Sequence, residues 1–209
     1  MVHCIDDYVG DIVNKLEALG IQEDTVIVFT SDNGPHAEAG HDPEYFNSNG
    51  LYRGKKRDLY EGGIRVPMIV KWPSAVAAGS RTNHVSAFWD VLPTLAEMTS
   101  QAVPDNLDGI SFLPTLLGSN KQANHDYLYW EFHELKGRHA VRKGYWKGVR
   151  YNVSIYPDSP IELYNLSTDP GESTNIADQF PAIADDLNEI LSHARTSHEH
   201  PNFNFPLRR

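Results

Sequence analysis

Hydrophobic residues at the start of the chain recur at spacings of three and four: Val2, Ile5, Val9, Ile12, Val13, Leu16 and Leu19. That period predicts an amphipathic helix over 2–19, closed by Gly20. The pattern opens at residue 2 with neither a capping Ser or Thr nor a strand before it, so Met1 is expected to lie inside a longer ancestral chain. The next segment, Thr25-Val26-Ile27-Val28-Phe29-Thr30, is apolar and β-branched without alternation. Such a run predicts a strand buried on both faces of a largely parallel sheet. Residues 34–60 have no periodicity and are rich in Gly, Asp, Asn and His, which predicts a long loop of the kind that carries function. A second buried strand is expected over 66–72. Pro93, three residues after Asp90, belongs in the first turn of a helix running through Leu95 and Met98.

From about Asn120 the pattern changes. Tyr127-Leu128-Tyr129-Trp130 and the stretches 139–142 and 146–151 read as strands, the last two joined at Lys143-Gly144 as an antiparallel hairpin. Residues 162–166 would add an edge strand, Asp169-Pro170-Gly171 a turn, and Ile183, Leu187, Ile190 and Leu191 a closing helix. The expected division is therefore 1–119 as an α/β domain and 120–209 as a small α+β subdomain with antiparallel strands.

Composition narrows the function classes. The chain has 209 residues, 40% of them apolar, enough for a substantial core. A net charge of −10 argues against nucleic acid or acidic membranes as partners. No apolar run reaches bilayer length and no basic-then-apolar leader opens the chain, so no membrane partner is expected and localisation is left open. The single Cys4 supports neither a disulfide framework nor a Cys-rich zinc site.

Two stretches carry candidate chemistry. Ser31-Asp32-Asn33-Gly34 directly follows the first predicted strand, where open α/β sheets place ligands. The carboxylate and carboxamide oxygens of Asp32 and Asn33 suit a hard cation such as Ca²⁺, with Mg²⁺ as the alternative, although one Asp and one Asn cannot fill a shell of about six to eight oxygens. An Asx turn closing the strand is the structural alternative. The second stretch, Arg53-Gly54-Lys55-Lys56-Arg57, is a compact cationic cluster in an acidic chain and can bind an oxyanion, or serve as a solvated basic loop neutralised by Asp58 and Glu61.

Taken in order, Thr30-Ser31-Asp32-Asn33-Gly34, the cluster 53–57 and Tyr60-Glu61-Gly62-Gly63-Ile64-Arg65-Val66-Pro67 resemble the sulfatase family of the alkaline phosphatase superfamily. Asp90-Val91-Leu92-Pro93-Thr94, Asp108-Gly109-Ile110-Ser111-Phe112 and Glu162-Leu163-Tyr164-Asn165-Leu166 extend the resemblance over essentially the whole chain. It implies the C-terminal part of an alkaline phosphatase-like mixed-sheet domain followed by a small α+β subdomain. It also implies calcium ligation by Asp32 and Asn33, and a catalytic, sulfate-contacting role for Lys56, with Lys55 as the nearest competitor. His36, His41 and His133 would contact substrate, and Glu61, Arg65 and the paired glycines would fix the loop. The implied substrates are sulfate esters of glycans or aryl compounds, and family members are commonly exported to the periplasm or beyond.

The sequence departs from the family at the nucleophile. Formylglycine arises there from a Cys/Ser-x-Pro/Ala-x-Arg motif, which Cys4-Ile5-Asp6-Asp7 does not match. The nucleophile and the early Asp pair are thus expected from a missing N-terminal half, and the isolated chain is expected to be inactive. Two alternatives remain: a non-catalytic relic binding sulfated glycans, and a metal-dependent phosphodiesterase of the same superfamily, against which Asn33 in place of a zinc-binding His speaks.

Overall fold

The computed structural model describes residues 2–205. In chain order its elements are α1 (Val2–Ala18), β1 (Ile27–Thr30), α2 (Glu61–Ile64), β2 (Met68–Lys71), α3 (Val91–Met98), α4 (Leu113–Leu116), β3 (Leu128–Phe132), β4 (Arg138–Lys143), β5 (Trp146–Tyr151), β6 (Glu162–Asn165) and α5 (Pro181–His193). The described residues gather into two units, 2–30 with 68–125 and 31–67 with 126–205. The segment 31–67 therefore groups with the later strands and not with the residues that flank it in sequence. The reason is chemical: its polar groups are satisfied by side chains of β5, β6 and the turn after β6, partners that no local pattern reveals.

In the first unit α1 forms where the three-four spacing places it. None of its residues is buried, and Val2, Ile5, Tyr8 and Ile12 face outward. The two strands also form, but not in the expected surroundings. β1 pairs antiparallel with β2, from Ile27 opposite Lys71 to Thr30 opposite Met68, as a two-stranded sheet. Val28, Phe29 and Ile69 are exposed. The apolar run correctly signals apolar faces; the direction of the neighbouring strand and the cover over those faces are not encoded in it. Asp90 braces this unit from complete burial. Its Oδ2 accepts the Ala87 N–H (2.7 Å), and its Oδ1 accepts the Ile110 N–H and lies 2.8 Å from His125 Nε2. Thr94, one turn into α3, donates to the Asp90 carbonyl and accepts the Phe112 N–H, so one buried acid and its partner tie the helix to the segment before α4.

The second unit is a four-stranded antiparallel sheet in the order β3-β4-β5-β6, with β4 and β5 joined by a two-residue turn in which Gly144 takes φ +61°. Alternate residues serve alternate faces. Val141 and Leu163 pack with Ile161 against Ala184, Leu187 and Leu191 of α5, while Ala140, Val149 and Tyr164 pack against Leu59 and Tyr60. The sheet thus holds α5 on one side and the end of the long loop on the other. No described helix is long and apolar enough to cross a membrane.

Candidate active site

The site is assembled from two turns of the 31–67 segment. Ser31 Oγ donates to the Asn33 carbonyl (2.8 Å) and Asn33 Nδ2 donates to the Gly34 carbonyl (2.8 Å). With its amide nitrogen engaged in this way, Asn33 keeps Oδ1 as a free acceptor beside the exposed carboxylate of Asp32. Backbone hydrogen bonds then lock this turn to the later one: the Gly34 N–H donates to Gly63 O (2.9 Å) and the Lys56 N–H to Pro35 O (2.8 Å). The approach is so close that a Cβ on Gly34 would overlap the Gly62 carbonyl. The structure therefore brings Asp32, Asn33 and Lys56 together across more than twenty intervening positions.

Around Lys56 the charges are balanced by Glu38. Lys56 Nζ lies 3.4 Å from Glu38 Oε2, Arg57 hydrogen-bonds the other carboxylate oxygen, and Arg57 Nε reaches Glu134 at 3.7 Å. The hydrogen bond from Arg57, then the charges of Arg57 and Lys56, hold the Glu38 carboxyl below the usual range. Arg57 is itself in left-handed backbone, φ +78°, a strained geometry for a side-chain-bearing residue. Lys55 is exposed, with its N–H donated to Asp58 Oδ2 (3.1 Å). His36 Nδ1 accepts the Glu38 N–H (3.1 Å), which places the proton of the neutral ring on Nε2, and His36 and His41 have ring centroids 5.4 Å apart.

Underneath, the loop is fixed by buried charge. Glu61, at the start of α2, is buried; Lys147 Nζ on β5 lies 2.8 Å from its Oε1 and 3.2 Å from Glu172 Oε1. Glu172 Oε2 accepts the Glu61 N–H (2.6 Å), and Arg142 and Arg65 approach Glu61 Oε2 at 3.5 and 3.7 Å. Arg53 spans from the Glu172 carbonyl to Tyr164 Oη, both 3.0 Å, with its guanidinium 3.9 Å from the centre of the Tyr60 ring. Glu162 accepts from both Tyr60 and Tyr164 hydroxyls, at 2.5 and 2.7 Å, and burial is the first cause of the raised pKa of both phenols.

His133 belongs to another cluster. Its Nε2 is 3.0 Å from Glu131 Oε1 and its ring stacks on Phe205 (4.3 Å), while Arg195 and the Tyr129 hydroxyl take the same carboxylate. Sequence reasoning missed Glu38 and Lys147; it placed Arg53 in the oxyanion-binding cluster, whereas the structure turns its guanidinium to Tyr164 and Glu172, and it gave Glu172 no role at the site. Glu38 had a signal, as the acid of a His-rich loop facing a basic cluster. Lys147 had only its place two residues before Val149, on the strand face turned to the loop.

The donors at Asp32 and Asn33 fit a hard, oxygen-seeking cation, but they are two where Ca²⁺ takes about six to eight. Among the described residues no group of three or more His, Cys, Asp or Glu is placed to hold a metal. A shell of that size would need further oxygens beyond these two.

The family model of the N-sulphoglucosamine sulphohydrolase C-terminal region matches residues 49–197, the stretch that carries Lys56, Glu61 and the sheet beneath them. The chain belongs to the sulfatase family. This sulfatase chain is 32% identical over 210 residues to the N-acetylgalactosamine-6-O-sulfatase of Bacteroides thetaiotaomicron, covering 92% of the chain and 40% of that protein. It also superposes on Ps i-CgsB in complex with k-i-k-neocarrahexaose (TM-score 0.76, 28% identity, 91% of this chain and 41% of that one). A further match is a protein solved in complex with its substrate D-glucosamine-2-N,6-O-disulfate (TM-score 0.72, 26% identity, 92% of this chain and 38% of that one). The sulfatase chain thus has the C-terminal part of the alkaline phosphatase-like fold, and it spans about two fifths of the length of the relatives it matches.

Proposed function

We propose that this chain supplies the late metal ligands and the sulfate-contacting lysine of a sulfuric ester hydrolase acting on sulfated glycans. The observation that carries the reading is the pair of backbone hydrogen bonds, Lys56 to Pro35 and Gly34 to Gly63, that sets the cationic loop against the Asp32-Asn33 turn. Asp32 Oδ and Asn33 Oδ1 would hold Ca²⁺, or Mg²⁺ in its place, with the remaining ligands and the nucleophile supplied by residues outside this sequence. When bound, the metal would act as a Lewis acid toward the sulfate group, and the family's formylglycine would supply the nucleophile. Lys56 exchanges its long contact with Glu38 for a sulfate oxygen and stabilises charge on the leaving oxygen as the S–O bond breaks. His36, exposed and with Nδ1 taken by the Glu38 N–H, donates to the substrate through Nε2, and the exposed Lys55 adds positive charge beside Lys56.

The glycan class is supported by one relative named for N-acetylgalactosamine 6-sulfate, one solved with D-glucosamine-2-N,6-O-disulfate and one solved with k-i-k-neocarrahexaose, while relatives named arylsulfatase A and steryl-sulfatase support the aryl class. A periplasmic or extracellular setting forms part of the same proposal and rests on the family alone. The test is Lys56→Ala in an enzyme completed with the formylglycine-bearing residues. Turnover of the sulfate ester is expected to fall about 10²- to 10³-fold, and near-normal turnover would remove Lys56 from the mechanism. In the chain as it stands, Asp32→Ala is expected to abolish whatever Ca²⁺ binding a calorimetric titration detects.

A further inference from the structure

The segment between the two turns of the site presents aromatic rings to solvent on an ordered support. Asp42 Oδ1 accepts the N–H groups of Glu44 (3.0 Å) and Tyr45 (3.2 Å), and the Ser48 N–H donates to the carbonyl of the buried Pro43 (2.9 Å). Asn49 Nδ2 donates to the carbonyls of Tyr52 and Gly54, tying the segment to the cationic loop. On this support Tyr45 is 80% and Phe46 64% exposed, their rings edge to face with centroids 5.0 Å apart. Phe46 lies parallel to His41 within 4° at 5.6 Å, and His41 leads to His36 and so to Glu38 and Lys56. One strip of the unit therefore runs from a cationic end to an aromatic end.

Two large rings left in water forgo the stabilisation that burying them would bring, and contiguous exposed apolar surface marks recognition sites. The ligand that matches both ends carries an anionic substituent and, beside it, a flat apolar face rimmed with hydroxyls. A pyranose ring has such a face, made by its axial C–H groups. We propose that Tyr45, Phe46 and His41 form a subsite for the sugar adjoining the sulfated one, so that the substrate is a sulfated oligosaccharide rather than an aryl sulfate or a sulfated monosaccharide. The inference rests on the reading that Lys56 receives the sulfate.

The test is calorimetric titration of the full chain with N-acetylgalactosamine 6-sulfate, with a disaccharide containing that sulfated sugar, and with the same disaccharide desulfated. The sulfated disaccharide is expected to bind roughly three- to tenfold more tightly than the monosaccharide, the gain of one stacked ring pair. Tyr45→Ala with Phe46→Ala erases that gain and leaves monosaccharide binding unchanged; both side chains are exposed, and an unaltered circular dichroism spectrum checks the fold. Lys56→Gln weakens both sulfated ligands equally. Equal binding of monosaccharide and disaccharide, or a gain that survives removal of the rings, overturns the subsite while leaving the sulfate reading intact. Equal binding of sulfated and desulfated disaccharides overturns the sulfate reading, and absence of binding by all three overturns both.

Discussion

At the scale of single residues, the loop depends on one buried cation shared by two carboxylates. Burial pushes Glu61 up, but the charge and hydrogen bond of Lys147 and the charges of Arg142 and Arg65 outweigh it and hold this carboxyl below its usual range. Glu172 goes the other way: burial leads, the negative charge of Glu61 adds to it, and the contributions of Lys147 and the Glu61 N–H do not offset them. The two carboxyl groups share one lysine, and their shifts run in opposite directions. The signs follow by linkage. Glu61, depressed on folding, contributes stability above its unfolded pKa and loses it as pH falls through the folded value. Glu172, raised on folding, contributes below its unfolded pKa and loses that contribution as pH rises through the folded value. Glu172→Gln keeps an acceptor for the Glu61 N–H and removes the ionisation. Its melting temperature is therefore expected to decline less than that of the native chain as pH rises above the ordinary carboxylate range, and parallel melting curves between about pH 4 and 8 would show that folding leaves the Glu172 pKa unshifted. Glu61→Gln removes the favoured partner of a fully buried lysine and is expected to cost about 3 to 5 kcal/mol at neutral pH, measured by denaturant titration.

At the scale of elements, glycines mark where backbone meets backbone. A Cβ on Gly62 would sit 2.5 Å from the carbonyl oxygens of Arg53 and Gly54, and one on Gly34 would overlap Gly62, whereas Gly10 in α1 has open space around it. Opposite outcomes are expected from the same substitution. Gly10→Ala should stabilise α1 by about 0.5 to 1 kcal/mol through helix propensity, while Gly34→Ala should destabilise the second unit by roughly 1 to 3 kcal/mol through overpacking; chemical denaturation of both variants decides it. These glycines explain why part of the site was legible in the sequence. Asp32-Asn33-Gly34 and Tyr60-Glu61-Gly62-Gly63 are recognisable because their close approach admits only glycine, and the β4–β5 turn was legible because Gly144 supplies the positive φ. The antiparallel partner of β1 was not legible, since an apolar run carries no information about strand direction. Lys147 was not legible because a charged residue inside a strand ordinarily reads as a solvent-facing position, and only the distant Glu61 and Glu172 make its burial tenable.

At the scale of the whole molecule, apolar burial is distributed unevenly. Both apolar clusters of buried residues among the described positions belong to the second unit, where α5 and the 59–60 segment cover the two faces of one sheet. In the first unit α1 buries none of its residues, β1 and β2 leave Val28, Phe29 and Ile69 exposed, and the main buried network is polar, centred on Asp90. A seventeen-residue helix without a packed face is marginal in water, because propagation barely repays nucleation at that length. Local stability should follow burial rather than secondary structure. Native-state hydrogen exchange of the chain is therefore expected to protect the amides of β4 and β5 most strongly and those of α1 least, despite the regular hydrogen bonding of both. Fluorescence of the two sets of indoles, Trp72 and Trp89 in the first unit and Trp130 and Trp146 in the second, should report separate denaturant midpoints, the first unit unfolding earlier. Coincident midpoints, or α1 amides as protected as those of β5, would mean that the chain folds as one cooperative body and that the exposed face of α1 is covered in solution.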